Sequence, residues 1–175
     1  MCGIVGYIGN KQAHSVLIKG LKRLEYRGYD SSGIALITDS QIEIYKKQGK
    51  VAEMENLVLA IDSKSSLGIG HTRWATHGPP NDVNSHPHYS NSKRIAIIQN
   101  GIIENYASIK EGLIKRGYTF ESETDTEVLV NLIEDVLVHT KVSLAESVRI
   151  ALNQVVGAYA IAVIEEGNND QIVVA

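Results

Sequence analysis

Apolar and polar positions along this chain switch period several times, and each switch marks a short element. Residues 3–8 read as an apolar strand. Val16, Leu17, Leu21 and Leu24 then recur at helical spacing and predict one buried helical face. Residues 33–38 and 41–47 read as two strands of a hairpin turning at Asp39-Ser40. The spacing predicts a helix over 51–61 and strands over 67–71 and 94–99. A helix follows over 108–116, with Gly117 as its stop. Val128, Leu129, Leu132, Ile133, Val136 and Leu137 form the strongest amphipathic stripe. Ser143 to Glu146 has the form of a capping box opening another helix. Residues 157–164 are an apolar strand, and 171–175 begin one more.

Strands that are apolar on both faces need cover on both sides, and helices with one apolar stripe supply it. The expectation is a layered α/β sandwich in which the hairpin brings some antiparallel pairing. Periodicity leaves the sense of the other strand pairs open. The three prolines, Pro79, Pro80 and Pro87, all fall in one stretch. Residues 73–91 are therefore expected to form one long polar loop, and long loops inside compact domains usually carry function. No internal repeat or low-complexity segment is present.

With 175 residues, 43% hydrophobic and 21% charged, the chain suits one domain with a substantial core. The net charge of −3, from 17 basic and 20 acidic side chains, offers no basic stripe for a nucleic acid. No apolar run approaches the roughly 20 residues of a membrane helix. The start Met-Cys-Gly-Ile-Val lacks the basic region and cleavage site of a secretory signal. Cys2 is the only cysteine, which excludes an internal disulfide and a thiolate metal cage. A cytoplasmic enzyme fits these features.

That lone cysteine stands where removal of Met1 would expose it as the N-terminal residue. A thiol and an α-amine, with ordinary pKa values of about 8.5 and about 7.7–8.0, would then share one residue. Such an amine can take the thiol proton, and the thiolate is the attacking form. The plainer reading is a small hydrophobe opening a strand. Arg73, at a predicted strand end, has the planar fork that suits a carboxylate, and Trp74 can wall or gate a pocket. Their plainer reading is a satisfied arginine and a core tryptophan. Asn100-Gly101 after a strand can be a simple turn, or can present the side-chain amide and backbone N–H of an oxyanion hole. Thr124 or Asp125 can cap a helix, and an aspartate there can also bind an ammonium group. His71, His77, His86 and His88 raise a metal site as a rival, although their spacing matches no common ligand motif and Asp82 is the one nearby acid.

Taken together, these segments resemble one family. Residues 2–6 (Cys-Gly-Ile-Val-Gly), 24–31 (Leu-Glu-Tyr-Arg-Gly-Tyr-Asp-Ser), 71–78, 84–88, 100–105 and 122–127 are similar to the glutaminase domain of the glucosamine-6-phosphate synthase family, class II glutamine amidotransferases. The resemblance runs along the whole chain and implies an α+β fold, the N-terminal-nucleophile hydrolase αββα sandwich, with two mostly antiparallel sheets between helix layers. It implies glutamine hydrolysis through a Cys2 thioester, with the α-amine as base. Arg73 would bind the glutamine α-carboxylate and Asp125 the α-ammonium. Asn100 and Gly101 would hold the oxyanion; Trp74, Thr76 and His77 would line or close the pocket; Arg27 and Gly28 would support the N-terminus. No cofactor and no metal are implied. In a full-length, homo-oligomeric enzyme the ammonia would aminate fructose 6-phosphate. The family domain continues beyond residue 175, so 1–175 reads as an incomplete glutaminase domain without sugar isomerase domains. Two alternatives stay open: another class II amidotransferase, and a non-catalytic metal-binding or regulatory module. One departure stands out. The family has histidine before Asn-Gly, and this chain has Gln99, which cannot titrate.

Overall fold

The computed structural model describes residues 2–59, 64–75 and 78–175. In chain order the elements are β1 (Gly3–Ile8), α1 (Ala13–Leu24), β2 (Ser31–Thr38), β3 (Gln41–Gln48), α2 (Val51–Val58), β4 (Leu67–Arg73) and β5 (His88–Tyr89). They continue with β6 (Ile95–Ile103), α3 (Tyr106–Lys115), α4 (Asp125–Thr140), α5 (Leu144–Leu152), β7 (Gly157–Glu165) and β8 (Val173–Val174). The strands form two four-stranded sheets, ordered β1-β4-β2-β3 and β5-β6-β7-β8. Every pairing is antiparallel.

Alternation along the strands decides the layering, because successive side chains point to opposite faces. Ile34 and Leu36 of β2 face Leu17 and Leu21 of α1 and Met54 and Val58 of α2. Their neighbours Ala35 and Ile37 turn the other way and meet Ala96, Ile98, Ala162 and Ile164 of the second sheet. On that sheet Ile95, Ile97, Ile161 and Val163 point outward against α4 and α5. The order is helix, sheet, sheet, helix, the αββα sandwich. The hairpin turn falls where expected: Asp39 and Ser40 both have positive φ, 49° and 67°, which matches the right-handed twist of the flanking strands. Helix α3 ends in a Schellman motif, with Gly117 N donating to Ile114 O (3.0 Å) and Tyr118 N to Leu113 O (3.1 Å).

Three expectations need correction. Strand β6 does not end at Gln99; Asn100 and Gly101 lie inside it, paired with Ala160 and Tyr159, and the strand runs on to Ile103. The 73–91 loop is interrupted by β5, and Asn84, Ser85, His86 and His88 within it are buried. Helix α2 ends at Val58, and the last residues expected in it, 60–61, lie outside the described residues. Helix α4 carries its predicted apolar stripe, but is buried all round from Asp125 to Leu137. Its polar side faces protein donors. Glu134 accepts from Ser90 Oγ (2.6 Å) and Ser92 N (3.3 Å), Asn131 Oδ1 from Asn91 N (2.9 Å), and Asp135 from Arg116 Nη1 (2.6 Å). Buried carboxylates persist only with such partners.

The layering predicts a stability contrast. Leu21→Ala, on the buried face of α1, is expected to destabilise the fold by ~2–5 kcal/mol. Val138→Ala, on the exposed end of α4, is expected to stay within ~0.5 kcal/mol of the parent. Urea unfolding of both reads the difference; equal stabilities would contradict the assignment of α1 to the core.

Candidate active site

Residues distant in sequence meet at one end of the sandwich. Cys2 precedes β1, Arg27 closes a single 3-10 turn (Glu25–Arg27), Arg73 ends β4, Asn100 and Gly101 lie in β6, and Asp125 begins α4. With Trp74 they line one cavity of about 370 Å³. The register explains the first meeting. Gly3 pairs with Thr72 across β1 and β4, so the chain just before β1 lies beside the chain just after β4. Trp74 N donates to Cys2 Sγ at 3.1 Å, and the thiol in turn faces Trp74 O at 3.5 Å. Burial pushes the Cys2 thiol above its ordinary pKa, while the Trp74 bond and the charge of Arg73 oppose that rise. A thiol so placed is protonated at neutral pH and needs a base to react.

Gly28 is required by a close approach. A Cβ there would stand 2.8 Å from both the carbonyl carbon and oxygen of Arg73. Gly101 has φ +113°, and a Cβ would come within 2.1 Å of Ala158 O. Arg73 is buried, and its Nη2 donates to Gly78 O at 3.3 Å across the loop. Burial lowers its pKa, opposed by the carboxylates of Asp30 and Asp125. Trp74 is half exposed and meets Tyr29 edge-on, ring centroids 5.6 Å apart. Asp125 Oδ2 accepts from Gln99 Nε2 (2.9 Å) and Ile103 N (2.8 Å). It also sits at the positive end of α4, whose N-cap Thr124 Oγ1 accepts from Glu127 N at 3.3 Å. Thr76 and His77 lie outside the described residues.

Two contributors escaped the sequence reading as site residues. Asp30 accepts from Ala75 N and from Ser31 Oγ (3.0 Å), and its own N–H donates to Arg73 O (3.3 Å). It clamps the turn that carries Arg73 and Trp74, and its only sequence signal is its place in the 24–31 segment. Gln99, noted only as a departure, uses its amide N–H to hold Asp125, while its Oε1 is buried without a partner among the described residues.

Three of the four histidines singled out above form one buried cluster. His71, His86 and His88 are buried in successive edge-on contacts, with centroids 4.3 and 4.9 Å apart. Burial holds His71 down to about 4 and keeps His86 and His88 well below the ordinary histidine range, so all three are neutral. Among the described residues no group of three or more His, Cys, Asp or Glu could hold a metal ion. The loop bearing His86 is fastened by Lys46, whose Nζ donates to Ser85 O (2.8 Å), Val83 O (3.1 Å) and Pro87 O (3.3 Å). Asn84 ties it to the start of α4 by accepting from Glu123 N at 3.0 Å. A larger cavity of about 640 Å³ lies beside Lys46 and Glu127, and contains none of the predicted site residues.

A family model described as "Glutamine amidotransferase domain" matches residues 59–175. Over its whole length the chain is 58% identical to a glutamine–fructose-6-phosphate aminotransferase [isomerizing] of Bacteroides thetaiotaomicron, covering 29% of that protein. It is 51% identical to proteins of the same name from Caldanaerobacter subterraneus and Thermus thermophilus, again over all of this chain and 28% of each relative. The chain thus spans less than a third of the curated relatives it matches. Among solved structures, glutamine phosphoribosylpyrophosphate amidotransferase from B. subtilis aligns with TM-score 0.80 and 28% identity, over 94% of this chain and 35% of that one. Among the described residues no helix is long and apolar enough to cross a membrane.

Proposed function

The chain belongs to the glutamine amidotransferase domain family, and from that premise we propose that it hydrolyses glutamine to glutamate and ammonia with Cys2 as nucleophile. One observation carries this reading: Cys2, Arg73, Asn100 and Asp125, from separate elements, line a single cavity. Its size suits a small molecule. An arginine fork and a carboxylate suit the two charged ends of an amino acid.

In the proposed reaction, Met1 has been removed and the Cys2 α-amine takes the thiol proton. Sγ attacks the side-chain amide carbon of glutamine, and the carbonyl electron pair moves onto oxygen. Asn100 Nδ2 and the Gly101 backbone receive that oxyanion. The tetrahedral species collapses, the C–N bond breaks, and the leaving nitrogen takes a proton from the α-ammonium and departs as ammonia. Water, deprotonated by the same amine, attacks the thioester carbon, and the C–S bond breaks to release glutamate. Arg73 binds the α-carboxylate and Asp125 the α-ammonium. Thr76, His77 and Trp74 line or close the pocket, and Arg27 and Gly28 support the nucleophile. The ammonia acceptor we infer is fructose 6-phosphate, a reading supported by the names of the relatives. A lone reduced cysteine as nucleophile fits a cytoplasmic setting.

Removing the Asn100 side chain tests the oxyanion assignment. Asn100→Ala is expected to lower kcat by roughly 100- to 1000-fold with little change in KM for glutamine. Steady-state ammonia release measures both. An unchanged kcat would move the oxyanion role to other donors.

A further inference from the structure

His71 crosses from one sheet to the other. It sits on β4, and its Nε2 lies 2.9 Å from Gln99 O and 2.9 Å from Asn100 Oδ1, both on β6. A backbone carbonyl only accepts, so Nε2 must carry the ring proton. The other end of the Asn100 amide meets a carbonyl too: Asn100 Nδ2 donates to Cys2 O at 3.2 Å. A flipped amide would set two donors face to face at His71 and two acceptors face to face at Cys2. Both contacts therefore select the same orientation.

We propose that His71 is the positioning residue for the oxyanion donor: its Nε2–H fixes the Asn100 amide with nitrogen toward Cys2, leaving the second Nδ2 hydrogen for the substrate oxygen. The inference rests on the reading of Asn100 as that donor. His71 is fully buried, and His86 Nδ1 stands 3.2 and 3.3 Å from its two ring nitrogens. The two rings meet edge-on, centroids 4.3 Å apart, so His86 packs directly against the His71 ring. Burial also keeps His71 neutral, so the ring has a single proton to give. An amide free to rotate would spend part of its time presenting oxygen to a developing negative charge. Preorganised donors owe their effect to avoiding that reorganisation.

Four variants test the proposal by ammonia release: His71→Phe, His71→Gln, Asn100→Ala and the double variant His71→Phe/Asn100→Ala. His71→Phe is expected to lower kcat by about tenfold or more, bounded by the roughly 100- to 1000-fold loss of the whole donor. KM for glutamine should not move, because His71 is not among the residues lining the cavity. His71→Gln, which keeps an N–H donor, is expected to recover part of the loss. The double variant should match Asn100→Ala alone, since no amide remains to position. Parent-like kcat in His71→Phe, or a double variant with multiplied losses, overturns the proposal while Asn100→Ala still reports the oxyanion donor. A normal Asn100→Ala overturns the oxyanion reading itself and takes the proposal with it. Nitrogen-15 NMR of the unsubstituted protein stands apart from any folding defect: His71 should be the Nε2-protonated tautomer, and an Nδ1-protonated ring would overturn the assignment.

Discussion

Cys2→Ser is expected to give a folded protein whose glutamine turnover has fallen by on the order of 10⁴- to 10⁶-fold, the scale of losing a nucleophile. Cys2 stands ahead of β1 and outside the three hydrophobic clusters, so the core does not depend on its sulfur. A hydroxyl in the same place holds its proton far more tightly than a thiol and is the poorer nucleophile, so the same amine in a pocket shaped for sulfur prepares it for attack far less readily. A chain that keeps Met1 is expected to be equally inactive for a different reason. Its Cys2 nitrogen is then a peptide amide with no basic lone pair, and the half-buried, protonated thiol has no proton acceptor. Intact mass separates processed from unprocessed chains, ammonia release measures each, and circular dichroism reports the fold. Full activity in a preparation shown to retain Met1 would end the N-terminal-nucleophile mechanism.

The second large effect is expected at Arg73. Its guanidinium is buried beside the cavity and near two carboxylates, Asp30 and Asp125. Arg73→Ala removes the partner of a desolvated substrate carboxylate, a loss of roughly 2–5 kcal/mol, or ~30-fold and upward in affinity. Arg73→Lys keeps the charge but not the fork, so a weakened affinity is expected there as well. The loss should appear in KM more than in kcat, because the α-carboxylate is held alike before and during the reaction. Isothermal titration of glutamine into each variant on a Cys2→Ser background measures binding without turnover. Parent-like affinity in Arg73→Ala would remove Arg73 from the substrate site.

Local pattern carried the strands and helices well where side chains meet only their own layer. The β2–β3 hairpin is an example: alternation and the Asp39-Ser40 turn are both local. Pattern failed where a polar residue faces protein instead of water. Gln99, Asn100 and Gly101 look like the end of a strand, yet β6 continues because their polarity belongs to the site. Asn131, Glu134 and Asp135 look like a solvent face of α4, and their donors come from Ser90, Asn91, Ser92 and Arg116. No window along the chain reveals those partners. The cavity residues Cys2, Arg73, Asn100 and Asp125 were legible because each carries its own chemistry. Asp30 and His71 were harder, since their work lies in holding other groups and appears only when distant segments are brought together.

The hydrogen bond from Asn100 to the Cys2 carbonyl joins the two sheets as well as two site residues. The proposed nucleophile leads into β1 of one sheet and the proposed oxyanion donor lies in β6 of the other, so their contact depends on how the two sheets are seated. A slip of one strand residue is ~3.3 Å, longer than the bond itself. On the proposed reading, catalytic competence therefore depends on how the two sheets are seated against each other. Enzymatic activity becomes a gauge of inter-sheet alignment, sensitive to displacements too small to alter secondary structure.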